Sequence, residues 1–268
     1  MPSEQRPLDI TCALITGGAG GIGKALATFF LSQGKKVIIA GRTESKLKAA
    51  CDEIGATAYY TLDTGDTSSI PSIAKRLISD YPELDCIVNN AGVQRPLKIA
   101  SSASAPADFL AKADQEIDIN IRGPMHLTLA LLSHLQSKPA AAIINVSSVL
   151  GFIPFSAINP VYNGTKAWLH FWSMNLRTQL RQAGSSVRVV EIAPPMVETD
   201  LHREREDPDD NKKENNPGAM SIAEFMEEVA AKLESGDDMI APGMAEDIVG
   251  KWHADFLPKY QEMTGEGN

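Results

Sequence analysis

The sequence predicts an α/β domain built on a doubly wound parallel sheet with helices on both faces. Several short runs are apolar throughout rather than alternating, the pattern of strands buried on both sides. Longer segments of helical periodicity separate them, so successive strands connect through right-handed crossovers. A cluster of glycines directly follows the first run and opens the first long helix.

The strand runs cover residues 10–16, 36–40, 56–60, 84–88, 141–147 and 187–193, with a short last run at 239–241. Helical periodicity covers 21–33, 44–54, 69–80, 108–136 and 161–182. One stretch departs from the rhythm. Residues 201–216 are highly charged, with Asp209, Asp210, Lys212 and Lys213, and carry almost nothing apolar. They read as an exposed loop ahead of an amphipathic helix at 221–234, where Phe225, Val229 and Leu233 share a face. Ser235 and Gly236 should end that helix, glycine suiting a C-terminal cap. Neither an internal repeat nor a linker divides the chain, so residues 1–268 are expected to form one domain, with a mobile lid at about 200–235.

Composition narrows the function. The 268 residues are 43% hydrophobic, ample for a sizeable core. A net charge of −9 repels polyphosphate backbones and argues against nucleic acid as a partner. Cys12, Cys51 and Cys86 follow no metal-ligand spacing, and their odd number gives no disulfide framework. Residues 1–9 lack a signal-peptide core and no segment is long enough to span a bilayer, so a cytoplasmic protein is expected.

The chemistry begins at Thr16-Gly17-Gly18-Ala19-Gly20-Gly21-Ile22-Gly23. After a strand and before a helix, Gly17 permits a tight turn, Gly21 lets backbone approach a pyrophosphate and Gly23 allows close helix–strand packing. The helix N-terminus then offers N–H groups to the phosphates. Dinucleotide preference is read at the end of the second strand. Gly41 supplies no carboxylate for a ribose 2′-hydroxyl, while Arg42 supplies a permanent charge and a fork of donors for a 2′-phosphate. That pair favours NADP(H) over NAD(H).

A second centre is Tyr162-Asn163-Gly164-Thr165-Lys166, in which residues four apart share a helix face. An adjacent ammonium favours phenolate, so Tyr162 can give a proton to a carbonyl oxygen or take one from an alcohol. The preceding apolar strand ends in Ser147-Ser148, which face opposite sides; one can reach the site and the other caps or packs.

Together these motifs resemble the classical short-chain dehydrogenase/reductase family, whose glycine motif has the spacing T-G-x-x-x-G-x-G. The resemblance runs from residue 10 to about 201. It implies a Rossmann-type fold, a nicotinamide cofactor and interconversion of carbonyl and alcohol. It further implies that Asp63 accepts from the adenine ring and that Asn90, Ala91 and Gly92 form a cofactor turn. Ile22, Tyr162, Lys166, Val197 and Thr199 join the cofactor contacts, Thr199 at the carboxamide. Asn120 would hold a water beside Lys166, completing a proton relay with Tyr162. Ser148 would hold the substrate oxygen, with Ser147 as the fallback because the interval to Tyr162 is one residue longer than is common in the family. Pro195 replaces a usual glycine. Residues 189–201 are similar to a subgroup named by analogy with D-alanine esterification, a label that names no substrate.

Phe152, Phe155 and Ile158 suggest an apolar carbonyl or alcohol as the small-molecule substrate. Family members commonly pair through the helices at 108–136 and 161–182, so a homodimer or homotetramer is expected, with Ala130, Leu131, Leu169 and Met174 as apolar candidates. Two alternatives stand beside the redox reading: a non-catalytic NADP(H)-sensing scaffold, and an epimerase or dehydratase of the same superfamily. Net turnover of the nicotinamide cofactor separates them.

Overall fold

A computed structural model describes residues 7–97 and 106–265; residues 1–6, part of the N-terminal segment read above, lie outside the described residues. Seven strands form one sheet: β1 (Cys12–Thr16), β2 (Lys36–Gly41), β3 (Ala58–Thr61), β4 (Cys86–Asn89), β5 (Ala141–Val146), β6 (Val187–Ile192) and β7 (Met239–Ile240). All are parallel, in the order β3-β2-β1-β4-β5-β6-β7. β1 begins two residues later than its apolar run. The Asp85 carboxylate accepts from the amides of Thr11 and Cys12, at 2.8 and 2.9 Å, and takes over the start of the strand.

The helices are α1 (Gly21–Ser32), α2 (Glu44–Ile54), α3 (Ile70–Asp80), α4 (Pro106–Ile117), α5 (Gly123–Gln136), α6 (Pro160–Gln182), α7 (Ile222–Ser235) and α8 (Ala245–Thr264). Ile15, Val88 and Ile144 bury one sheet face against α1 and α7 through Leu26, Phe30 and Phe225. Leu14, Ile87 and Ile143 bury the other against α3, α5 and α6 through Leu77, Leu131 and Leu176. The strands are therefore buried on both faces through most of their length. α7 has a capping box of Ser221 and Glu224, and its chain reverses at Gly236 in left-handed backbone, φ 85°.

Three expectations are corrected. The helix expected at 108–136 is two helices joined by a π turn, Asp118–Arg122, which contains Asn120. Leu131, Leu169 and Met174 are buried within the chain, and the large apolar side chains that those helices turn outward are Leu110, Leu129 and Phe171. The charged 201–216 stretch is not simply exposed. His202 and Asn211 are buried in it, and the Asn211 amide donates to the carbonyls of Val197 and Thr199. Several of its charges are paired: Asp210 accepts from both His202 and Arg205 within the stretch, and Glu204 pairs with Arg95 outside it. α8 was not anticipated from the sequence.

Candidate active site

The strand order reverses between β1 and β4, and this topology leaves a crevice at the carboxyl ends of the strands. A cleft of about 790 Å³ lies there, running from Arg42 and Asp63 past the glycine loop to Tyr162 and Met244. This is within the range of about 300–1,000 Å³ usual for small-molecule sites.

The glycine loop is shaped as its sequence demands. Gly17 and Gly21 take left-handed backbone, φ 67° and 51°, and a Cβ on Gly23 would lie 2.4 Å from the Gly17 carbonyl oxygen. The loop is also held from the next strand. The Asn90 amide donates to the Thr16 carbonyl at 2.9 Å, and the Thr16 hydroxyl accepts from the backbone of Asn90 and Ala91, each at 3.0 Å. No side chain caps α1, so its first amides face the cleft, and the space beyond Gly20 is open. This shape fits a pyrophosphate. Gly41, Arg42, Lys46 and Asp63 line the cleft beyond the glycine loop, and Lys46, not singled out from the sequence, adds a second cation there. Ile22, Asn90, Ala91, Gly92, Val197 and Thr199 all line the cleft; Gly23 lies behind it as packing.

At the other end, Tyr162 and Lys166 project from α6, both buried. The Lys166 ammonium donates to the Val146 carbonyl at 2.8 Å and lies 5.4 Å from the Tyr162 ring centre. Burial lowers the Lys166 pKa to about 8, against the opposing charges of Glu116 and Glu191. Burial raises the Tyr162 phenol well above its ordinary value, Glu116 adds to the rise, and the Ser148 hydroxyl and Arg205 oppose it.

The two serines separate clearly. The Ser147 hydroxyl donates to Glu191 at 2.6 Å, and Glu191 also contacts His170 at 3.0 Å, all inside the protein. Both serines line the cleft, and it is the Ser148 hydroxyl that adjoins Tyr162, accepting also from the Leu150 amide. Asn120 does not line the cleft. Its side chain accepts from the Val93 amide at 3.0 Å and donates to the Val93 carbonyl and the Thr165 hydroxyl, locking the π turn to α6. The substrate side has apolar Leu150, Phe155, Met196, Leu201 and Met244, with Gln94 and Arg205 as its polar end. Arg205 donates to Gln94 and to Asp210, each at 2.7 Å. Sequence reasoning missed Glu116, Gln94 and Arg205; each lies in a polar stretch whose periodicity reads as solvated surface.

A doubly wound sheet, a phosphate-fitting glycine loop and a buried tyrosine–lysine pair at one crevice define a dinucleotide-dependent oxidoreductase. The chain belongs to the short chain dehydrogenase family, whose model matches residues 11–210. It is 34% identical over 255 residues to the uncharacterized oxidoreductase DltE of Bacillus subtilis, covering 95% of this chain and 97% of that one. It is also 34% identical over 203 residues to the NADP-dependent 3-hydroxy acid dehydrogenase YdfG of Escherichia coli, covering 75% and 79%. Among solved structures, a closed serine dehydrogenase complexed with NADP+ matches at 30% identity and TM-score 0.74, over 86% of this chain and 94% of that one. Among the described residues no helix is long and apolar enough to cross a membrane.

Proposed function

We propose that this chain is an NADP(H)-dependent enzyme that interconverts a carbonyl and an alcohol on a largely apolar small molecule, with Tyr162 as general acid and base. The observation that carries this reading is the convergence of Tyr162, Ser148 and Lys166 at one end of a cleft whose other end holds the glycine loop and Arg42. The bound cofactor supplies or accepts hydride. Ser148 holds the substrate oxygen, Tyr162 gives it a proton during reduction or removes one during oxidation, and Lys166 stabilises the phenolate. Asn120 acts by holding Val93 and Thr165 in place; a relay water beside Lys166 remains part of the proposal. NADP(H) is supported by Arg42 and Lys46 at the adenosine rim and by NADP in the names of two relatives.

Coenzyme kinetics test the assignment. A charge-assisted contact contributes about 1.5–3 kcal/mol, so Arg42→Ala should weaken NADPH about ten- to a hundredfold and leave NADH nearly unchanged. Gly41→Asp should act from the other side, and a Cβ there meets Leu47 at an ordinary 3.4 Å. The measurement is kcat/KM for NADPH and NADH in each variant, across a panel of carbonyl compounds. A wild type that prefers NADH, or an Arg42→Ala loss equal for both coenzymes, sinks the phosphate assignment.

A second substrate reading rests on Arg205, which sets a cation at the polar end of the cleft and suits an acid group on the substrate. The relatives named for 3-hydroxy acids and serine support it, and carboxylated and neutral ketones in the same panel separate the two readings.

The segment at about 200–235 serves as the lid of this single domain. Leu201, His202 and Arg203 line the cleft, so closure would exclude water. Hydrogen exchange of residues 200–220 should slow when coenzyme and substrate bind, and unchanged exchange would make the segment a fixed wall. Pairing into a homodimer or homotetramer through α4–α5 and α6, with Leu129 and Phe171 outward, is checked by sedimentation. The expected cytoplasmic location is checked by cell fractionation.

A further inference from the structure

On the substrate side of the cleft, four side chains from two separate segments touch in series. The His202 Nδ1 meets one carboxylate oxygen of Asp210. The other oxygen accepts from the Arg205 Nη1 at 2.7 Å, and the Arg205 Nη2 donates to the Gln94 Oε1 at 2.7 Å. Gln94, His202 and Arg205 line the cleft, while Asp210 stands behind the lining. Gln94 and His202 are 4% and 6% exposed, so neither is a surface residue turned to open solvent.

Each contact fixes the role of an atom. A guanidinium only donates, so the Gln94 oxygen must face Arg205, and the amide nitrogen with its two N–H groups is the end left over. An ionised carboxylate only accepts, so the His202 proton sits on Nδ1 and leaves a lone pair on Nε2. Burial holds the His202 imidazole below its ordinary pKa; the hydrogen bond to Asp210 opposes this and the charge of Arg205 adds to it. The ring is therefore neutral near neutral pH. Among the described residues neither the Gln94 amide nitrogen nor the His202 Nε2 has a hydrogen-bond partner. Neither atom is fully enclosed, and the opening they have is the cleft they line. Asp210 matches the charge of Arg205, so this wall offers one donor group and one acceptor without a net charge.

We propose that Gln94 and His202 are the specificity-determining pair of the cleft, selecting a substrate that carries a hydroxyl besides its reacting carbonyl. This rests on the carbonyl–alcohol reading of the site. A hydroxyl is the smallest group that can accept from the Gln94 amide nitrogen and donate to the His202 Nε2 at once. Arg205 and Asp210 act as positioning residues that turn the amide and the imidazole the right way round. A methyl group in the same place leaves both atoms unpaired, and a carboxylate brings no proton for Nε2. A site built to hydrogen-bond a hydroxyl rejects the analogue that lacks it. Of the two substrate readings, the pair favours the neutral one, because Asp210 already matches the charge of Arg205.

Straight-chain methyl ketones ending in a hydroxyl, a methyl or a carboxylate, each in a series of lengths, test this by kcat/KM with NADPH. At the best length the hydroxyl ketone should exceed its methyl counterpart by roughly tenfold or more. Gln94→Glu keeps the oxygen that Arg205 uses and loses the N–H donors; His202→Asn keeps an N–H for Asp210 and loses Nε2. Either change should erase the preference. A wild type indifferent to the hydroxyl, or one that favours the carboxylate, overturns the proposal. So does a variant that loses equally on hydroxyl and methyl ketones, since a merely structural role lowers both and leaves their ratio in place. Nitrogen NMR of the full chain with NADP+ added gives a readout without turnover, the His202 signals being those missing from His202→Asn. Nδ1 should be protonated and Nε2 bare, and the Nε2 signal should move on adding the hydroxyl ketone but not the methyl one. A protonated Nε2, or a signal that stays put, overturns the proposal. If no ketone is turned over, the carbonyl–alcohol reading fails, while the nitrogen signal still decides what His202 does.

Discussion

Tyr162→Phe keeps the fold and the coenzyme affinity and loses about 10²–10⁴-fold in kcat, the usual contribution of a positioned general acid. The ring packs with Val149, Leu150 and Phe152, contacts that phenylalanine reproduces, so the change deletes one buried hydroxyl and little packing. The glycine loop and Arg42 lie at the other end of the cleft and are untouched. Binding therefore separates from chemistry: the dissociation constant for NADPH, followed by its fluorescence, should stay within about twofold while turnover collapses, less than half a kcal/mol against several. A variant with near-wild-type kcat on a true substrate would remove Tyr162 from the mechanism and leave the fold assignment intact.

The second large effect is on stability. The Glu116 carboxyl rises from an ordinary 4.5 to about 7 on folding. The folded chain thus holds this proton more tightly than the unfolded chain. The resulting stabilisation is complete below pH 4.5 and is lost as pH rises through about 7. The loss amounts to about 3 kcal/mol, at about 1.36 kcal/mol per unit. Glutamine carries no such titration. The unfolding free energy of Glu116→Gln relative to wild type should therefore climb by about 3 kcal/mol between pH 4.5 and pH 8, above whatever constant offset the amide introduces. Denaturant unfolding of both proteins across that interval measures it, other ionisations cancelling in the difference. A flat difference would mean that Glu116 ionises as readily in the folded chain as in the unfolded one.

The sheet was legible because parallel strands buried on both faces leave a period-free apolar record, as Leu14 and Ile15 do on opposite faces of β1. α7 was legible because Ser221 and Gly236 cap it chemically as well as bound it. α8 was not. It buries only Ala245 and Val249, contains Pro258, and exposes Phe256 and Met263, so its apolar stripe is broken. The π turn was hidden because a single widened turn shifts the register of a periodic pattern without erasing it. Within the site, motif spacing identified Tyr162, Lys166 and the glycines. It left Ser147 and Ser148 unresolved; geometry separates them by turning Ser147 toward Glu191. Glu116 and Arg205 left no trace, since an acid on α4 and an arginine in a charged run look solvated until tertiary packing buries them.

The stitching of the glycine loop by Asn90 and Thr16 bears on binding kinetics. A phosphate cradle anchored to two strands of the sheet keeps its shape before any nucleotide arrives, so capture carries little cost of loop ordering. Nucleotides that share a pyrophosphate should then dock at similar rates, whatever their ribose carries. On the proposed role of Arg42, discrimination between them is left to residence time, set by how long Arg42 and its neighbours retain a 2′-phosphate.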